Sequence, residues 1–569
     1  MRLIFRYIEQ HILLFFTSIF FLAIEAAADL LQPAMMERVV DNGVKNADAG
    51  QILRYGVIMV CIAATGAAGA ILRNIYASRT SQTIGKEIRS DLYRKVQSLS
   101  LENIDRLQPA SIITRITNDV TQIQEFVNGC MRVMAKAPIT CTGALILLAL
   151  QTPWQIPVIA GILIVAALLI GANIRLGYPR FGIMQQKLDR LNNVSREFLS
   201  SIRVVKAFQA EGLEEEKFQA ASQGLADATT RAMQVMAVFA PLINLTVNLG
   251  IVLLLWRSQN GNTEIGRLMA SVNYMTQVLF SLGMVSNILN TAARAAASSQ
   301  RIGEILEEKP AQAVRRDALP LECSGRVDFD DVSFTYAGGG REALHHVSFH
   351  AAPGETIGII GPTGAGKSTL VNLIPRFYDA GSGVVSVDGV DVTQLDPQDL
   401  RAAVAVVPQK ALLFSGSILE NLRWGKEDAS IDEVEAAARV ACAHDFITRT
   451  EHGYDTALGQ GGVNLSGGQK QRLALARALI RQPRVLILDD CTSALDARTE
   501  ADVLAGLRQM PDVTVLLISQ RIAAVRQADR VLCLENGEVQ GFGTHEQLMQ
   551  DCPTYQAIYA SQIGGGSDG

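Results

Sequence analysis

The chain has 569 residues, with 51 Lys and Arg against 56 Asp and Glu, so its formal net charge is −5. That length predicts more than one domain; the acidic balance argues against a dedicated nucleic-acid binder, which carries a net basic surface, and a hydrophobic content of 49% excludes intrinsic disorder. The mean hydropathy of +0.19 is too apolar for an ordinary soluble protein. Apolar residues run in long blocks before about Asn290 and in short strand-sized runs after about Gly325, so a membrane domain followed by a soluble one is expected.

Six apolar stretches approach or exceed the ~20 residues a helix needs to cross a ~30 Å hydrocarbon core. They lie near His11–Leu31, Tyr55–Ala77, Met134–Leu150, Ile156–Leu176, Val235–Trp256 and Leu268–Leu289. The last is diluted by Ser271, Asn273, Gln277, Ser281 and Asn287, a polar stripe of the kind that faces a bundle interior or aqueous cavity. Arg2 and Arg6 precede the first span without a cleavage pattern, which predicts a retained span with a cytoplasmic N-terminus. The connections Ser78–Arg132 and Gly177–Met233 are rich in Lys and Arg and are also expected in the cytoplasm. Leu92, Val96 and Leu99 recur at helical spacing, so helices should continue below the membrane and turn near Asn103–Ser111 and Ala210–Glu216. Each turn is either a charged surface strip or a short helix that docks on the soluble domain.

Glu25 and Asp29 share one face of the first span. They are either a cation-binding or substrate-contacting pair, or groups near the outer end in water. Trp154 and Trp256 stand where interfacial anchors often do, and Gly66 with Ala70 forms a small-xxx-small pair that permits close helix packing. The eight cysteines show no CxxC spacing and read as ordinary thiols, with Cys491, beside two aspartates, either an oxidation target or a packing residue.

In the soluble half, Gly303–Ser324 reads as a linker, and Val332, Phe334 and Tyr336 alternate with Ser333 and Thr335 as in a strand. The apolar run TIGIIG then enters GPTGAGKST at Gly361–Thr369, a phosphate-binding loop in its strand–loop–helix setting. Gly361, Thr363, Gly364, Gly366 and Thr369 belong to that loop; Lys367 is expected to reach the β- and γ-phosphates, and Ser368 to ligate Mg²⁺. A second apolar strand, VLILDD, ends in Asp489, the expected partner of Mg²⁺. Together these motifs predict a nucleoside triphosphatase.

LSGGQ follows at Leu465, Ser466, Gly467, Gly468 and Gln469, directly before the helix KQRLALARAL. With these residues the chain resembles the ATP-binding cassette superfamily, and six spans followed by one cassette resemble its exporter half-transporters. The resemblance implies an α-helical membrane domain over 1–302, a linker over 303–324, an α/β P-loop nucleotide-binding domain over 325–560 and a flexible tail over 561–569. It also implies ATP and Mg²⁺ as ligands. Two cassettes would sandwich two ATP molecules, LSGGQ completing the site of the opposite subunit. Tyr336, on its own residues a strand-edge core tyrosine, falls where an aromatic ring stacks on adenine. Gln409, in VVPQ, matches the glutamine that senses Mg²⁺ and the membrane helices; Asp496, in SALD, matches an aspartate that communicates across the dimer. The two cytoplasmic turns become coupling helices by the same resemblance.

Three positions depart from the family pattern. Where active cassettes carry Glu after Asp489, this chain has Asp490, and where a switch His is usual in SHR it has Gln520. Gln460 replaces a glutamate before the signature. Both chemical residues of one site, Asp490 and Gln520, are thereby changed, which matches the degenerate subunit of heterodimeric bacterial multidrug exporters. The expectation is ATP-driven export of amphipathic drugs or lipids from the bacterial inner membrane, beside a partner carrying the Glu and His. Alternatives are a slow homodimeric exporter, an exporter-fold importer of metal chelates, an ATP-binding membrane regulator and, opposed by the six spans, a soluble ATPase acting on DNA or ribosomes.

Overall fold

The computed structural model describes residues 1–153, 156–258, 264–312, 319–321 and 323–563. Trp154, part of the expected linker and the terminal GGGSDG lie outside the described residues. The chain forms two compact units: Met1–Gln97 with Ala110–Glu307, and Ser98–Pro109 with the chain from Glu308 onward.

The first unit is helical. α1 (Arg2–Gln10) and α2 (Ile12–Arg38) are followed by α3 (Ala49–Ser98) and, in the second unit, α4 (Leu101–Leu107). The chain returns through α5 (Pro109–Thr114), α6 (Val120–Gly129) and α7 (Lys136–Gln151), with π-helical turns at Arg115–Asp119 and Cys130–Met134. α8 (Ile156–Ser200), α9 (Ile202–Ala207), α10 (Glu211–Ser258) and α11 (Ile265–Glu307) complete it. At ~1.5 Å per residue, α3, α8, α10 and α11 are each about 65–75 Å long, roughly twice a hydrocarbon core. They therefore run well beyond a bilayer, as the periodicity of Leu92, Val96 and Leu99 indicates. Among the described residues, five helical stretches are long and apolar enough to cross a membrane: Ile12–Val44, Ala49–Ser98, Pro109–Gln151, Ile156–Ser200 and Glu211–Leu253. The sixth expected span lies within α11.

The polar stripe of α11 fastens it to α2 and α7. Ser281 Oγ lies 2.9 Å from Thr140 Oγ1, Tyr274 Oη–H donates to the Leu30 carbonyl oxygen at 2.8 Å, and Gln277 Nε2 donates to that of Asp29 at 3.2 Å. The side chain of Asn287, counted in the same stripe, lies outside the described residues. Both ends of α11 are held by buried carboxylates. Asp41 accepts the Gly266 and Arg267 N–H groups at 2.7 and 3.1 Å, capping the positive end of the helix. Asp119, 3% exposed, accepts from Ser298 Oγ at 2.9 Å and Arg301 Nε at 2.8 Å.

One expectation is extended and another needs correction. The close approach of α2 and α3 rests on Gly66, as expected, and on Gly69. A Cβ at Gly66 would lie 2.7 Å from the Ala28 Cβ, and one at Gly69 3.2 Å from the Phe21 carbonyl oxygen, whereas Ala70 is only half-buried. The second cytoplasmic turn lies at Ser201–Ala210, not at Ala210–Glu216: the chain reverses through α9 and Gln209, whose φ is +51°, and Glu211 already opens α10.

The second unit is α/β. Its strands are β1 (Val327–Phe334), β2 (Leu344–Ala351), β3 (Thr356–Ile360), β4 (Ser382–Val387), β5 (Val390–Asp391) and β6 (Val404–Val407). β7 (Gly416–Ser417), β8 (Ala457–Leu458), β9 (Val485–Asp489), β10 (Thr514–Ile518), β11 (Arg530–Glu535) and β12 (Glu538–Gly543) follow. A six-stranded sheet in the order β12-β11-β3-β10-β9-β6 is parallel except for the β11–β12 hairpin. Its central strands are apolar on both faces because both are covered, which is why TIGII, VLILD and TVLLI read as unbroken hydrophobic runs. An antiparallel sheet, β2-β1-β4-β5, packs Phe329 on Phe349 with ring centroids 4.7 Å apart. β1 starts five residues earlier than the alternation at Val332 indicates and ends before Tyr336.

Candidate nucleotide site and membrane cavity

The carboxyl ends of β3 and β9 bring the expected phosphate chemistry together. Beyond β3, the loop Gly361–Gly366 turns into α12 (Lys367–Leu373). Gly366 is at φ +95°, and a Cβ there would lie 2.7 Å from the Ala343 carbonyl oxygen, so only glycine fits this entry to the helix. Thr363 and Gly364 are exposed at the loop's tip. Lys367 is buried, and its ammonium donates to the carbonyl oxygens of Gly361 and Pro362 at 2.7 and 2.8 Å. Burial lowers its pKa, opposed by the carboxylates of Asp490 and Asp489. Thr369 is buried on α12 and accepts from Tyr336 Oη–H at 3.1 Å. Tyr336 is 36% exposed and stands edge-on to Phe334 and Tyr378, a surface aromatic rather than the strand-edge core residue its alternation indicates.

Ser368 Oγ–H donates to Asp489 Oδ1 at 3.0 Å. This juxtaposes a hydroxyl and a carboxylate, the hard oxygen donors that Mg²⁺ prefers, so the residues present fit that ion. Burial raises the pKa of Asp489, against the Ser368 hydrogen bond that lowers it. The next residue leaves the strand: Asp490 is at φ +47°, a region that aspartate tolerates better than most side chains. Its Oδ2 accepts from Gln409 Nε2 at 3.1 Å, and burial raises its pKa despite that bond. Gln409 therefore reaches Asp490, and among the described residues no hydrogen bond joins it to Ser368 or Asp489. Gln520 is exposed just beyond β10. Cys491, wholly enclosed, has its thiol pushed up to about 12 by burial, the behaviour of a packing residue.

The signature opens the helix Gly467–Leu479. Ser466 caps it, its Oγ accepting from the Gln469 N–H at 3.3 Å while Gln469 Oε1 accepts from the Ser466 N–H at 2.8 Å. Ser466 and Gly467 remain exposed, and Leu465, Gly468 and Gln469 are half-buried, so this helix start is open to a ligand from outside. Asp496 caps the helix Ala497–Arg508 by accepting the Thr499 N–H at 3.0 Å and the Thr499 hydroxyl at 2.8 Å. Gln460 stands on an exposed turn.

Sequence reasoning missed Arg521 and Glu500. Arg521 pairs with the buried Glu500 at 3.0 Å and donates to the carbonyl oxygens of Ser493 and Leu495, fixing the segment between Asp490 and Asp496. It also missed the docking residues of α4, whose signal is spread over 205 residues of sequence. Asn103, 3% exposed, donates to Glu308 Oε1 at 2.7 Å and accepts the Ala311 N–H at 2.8 Å. Tyr378 Oη–H donates to Asp105 at 2.5 Å. The first turn is thus a docking helix. The second leaves Phe208 80% and Val204 57% exposed.

In the membrane unit, Glu25 and Asp29 are ion-paired. Glu25, 8% exposed, meets Arg73 Nε at 2.8 Å and Lys136 Nζ at 2.6 Å, and Lys136 also reaches Asp29 Oδ2 at 2.8 Å. Two acids and two bases offset one another, which lowers the cost of holding them within apolar helices. Asp29 and Lys136 line a cavity of about 390 Å³ bounded by α2, α3, α7 and α11.

The chain's relationships agree with this architecture. Residues 15–282 match the ABC transporter transmembrane region and residues 344–493 match the ABC transporter domain. The chain is 38% identical over 563 residues to the uncharacterized ABC transporter ATP-binding protein YfiB of Bacillus subtilis, covering 98% of each chain. It is 31% identical to the multidrug resistance-like ATP-binding protein MdlA of Escherichia coli, over 95% of this chain and 93% of that one. Among solved structures, a bacterial Atm1-family ABC exporter with ATP bound superposes with a TM-score of 0.79 at 28% identity, covering 96% of this chain and 98% of the other. A multi-pass helical region and an ABC ATPase domain thus share one polypeptide, and the chain belongs to the ABC transporters, among relatives that are exporter half-transporters.

Proposed function

We propose that this chain drives export of amphipathic drugs or lipids by alternating access, as one half of a heterodimer whose own Walker site hydrolyses ATP poorly. The observation that carries the reading is Asp490, a carboxylate one methylene shorter than glutamate and bonded to Gln409 at 3.1 Å. Retraction by ~1 Å of a group that must polarise water costs on the order of 10²-fold in rate. Gln520 adds to the loss, because an amide cannot carry the charge of an imidazolium.

In this reading Lys367 exchanges the carbonyl oxygens of Gly361 and Pro362 for nucleotide phosphates, while Tyr336 stacks on adenine. Ser368, Asp489 and Gln409 hold Mg²⁺, which supplies charge neutralisation on the phosphates. The exposed signature Leu465–Gln469 closes on the nucleotide of the partner, where Glu and His perform the hydrolysis. Asp496 communicates across the same interface, and the exposed Phe208 and Val204 of the second turn couple to a cassette. Bacterial relatives support placement in an inner membrane. A relative named for multidrug resistance supports amphipathic substrates, and the similarity to an ABC exporter of known structure supports the direction.

ATP turnover of the purified chain at verified dimer mass, beside the chain co-expressed with a candidate partner, tests the proposal. Negligible turnover alone with strong turnover together is the expected result. Brisk turnover alone would overturn it in favour of a homodimer in which Asp490 is an adequate base.

A further inference from the structure

Tyr336, the ring expected against adenine, is a surface aromatic, and a stacking platform serves only if its plane is held. Its surroundings hold it. The Tyr336 Oη–H donates to Thr369 Oγ1 at 3.1 Å, and the rings of Phe334 and Tyr378 stand edge-to-face with it, their centroids 4.8 and 5.3 Å away at 84° and 82°. Phe334 is buried in the core under the antiparallel sheet and needs no further support. Tyr378 is only half-buried, and its hydroxyl reaches out to α4, donating to Asp105 Oδ2 at 2.5 Å. Burial and the bond to Asp105 both raise the pKa of Tyr378, so the hydroxyl keeps the proton it donates. The turn that carries Tyr378 is rigid: the buried Arg376 pairs with Asp379 at 2.8 Å, and Arg401 Nη2 donates to the Arg376 carbonyl oxygen at 2.9 Å. α4 is pinned in turn by Asn103 on Glu308 and Ala311. Within the second unit a chain of contacts thus runs from the phosphate-loop helix α12 through Tyr336 and Tyr378 to α4.

We propose that Tyr378 and Asp105 are positioning residues of the nucleotide-base site: Asp105 holds Tyr378, Tyr378 holds Tyr336, and the docking of α4 thereby sets the affinity for the base. The inference rests on the reading of Tyr336 as the ring that stacks on adenine. Coupling is reciprocal, so a base seated on Tyr336 tightens α4 by the factor by which α4 tightens the base. The effect lies on affinity, not on turnover at saturating ATP. The probes are Mg·ATP and Mg·tripolyphosphate, which carries the phosphates without the base. Each is titrated calorimetrically into the full chain in phosphatidylcholine nanodiscs. Tyr378→Phe keeps the ring and removes the hydroxyl; it is expected to weaken ATP about three- to tenfold, as loss of one hydrogen bond does, with tripolyphosphate unchanged. Asp105→Ala should do the same, and the double variant should lose no more than either alone. Asp105→Asn, whose amide oxygen still accepts, should recover most of the affinity. Hydrogen exchange over Ser98–Pro109 should slow with ATP but not with tripolyphosphate in the wild type, and respond to neither in Tyr378→Phe. Unchanged ATP affinity in Tyr378→Phe and Asp105→Ala would overturn the proposal, as would equal weakening of ATP and tripolyphosphate, the mark of a folding defect. Tyr336→Ala separates the two levels. If it leaves ATP affinity intact, the stacking reading fails and the inference with it; if it weakens ATP while Tyr378→Phe does not, stacking stands and the positioning role alone is refuted.

Discussion

Asp490 leaves β9 in a left-handed turn, where its side chain meets the Gln409 amide rather than projecting as far as a glutamate would. The double variant Asp490→Glu with Gln520→His should raise the turnover of the chain alone by about tenfold or more, because it restores both the reach and the charge of the site. A steady-state phosphate-release assay checks this, and unchanged turnover would place the defect elsewhere. Residues such as Lys367, Ser368 and Ser466 were legible because each sits in a contiguous motif whose spacing dictates the local turn. Arg521 and Glu500 were not, since their pairing depends on the strand order that brings the end of β10 beside the end of β9. Gln409 was legible as a residue, but its bond to Asp490 was not.

Among the elements, α11 shows how a weakly apolar helix is kept in place. Its stripe of Ser271, Asn273, Gln277, Ser281 and Asn287 reads in the sequence as dilution of a span; in the fold Gln277 and Ser281 of that stripe, with Tyr274, supply hydrogen bonds to α2 and α7. At its far end Asp119 receives Ser298 and Arg301. Asp119→Asn removes the charge from that bond set and should cost about 1–3 kcal/mol, seen as a lower Tm of the detergent-solubilised protein. An unchanged Tm would mean that Arg301, which is half exposed, contributes nothing there. The helices themselves were legible from apolar length and period. The site of the second turn was not, because neither glycine nor proline marks Ser200–Ser201, and the charged run at Glu211–Glu216 draws attention to what is the first turn of α10.

For the whole molecule, the chain order and the spatial order disagree at one place. The sequence passes from α3 into α4 and back into α5, yet Ser98–Pro109 packs with residues from Glu308 onward. Asn103 is a buried polar contact of that segment, so Asn103→Ala should reduce export by the assembled transporter while leaving its ATP turnover intact. Vesicle transport and phosphate release measured together check this; parallel loss of both would make Asn103 a folding residue instead. The two-part division into apolar blocks and strand-sized runs was legible from hydropathy alone, but this excursion was not, because nothing in a local window links Asn103 to Glu308. Their separation of 205 residues also has a temporal meaning. At about 5–20 residues per second of synthesis, α4 emerges roughly 10–40 s before its binding surface exists. The nascent protein must carry that helix unclaimed through more than a third of translation, and the cassette is completed by a piece of chain made well before it.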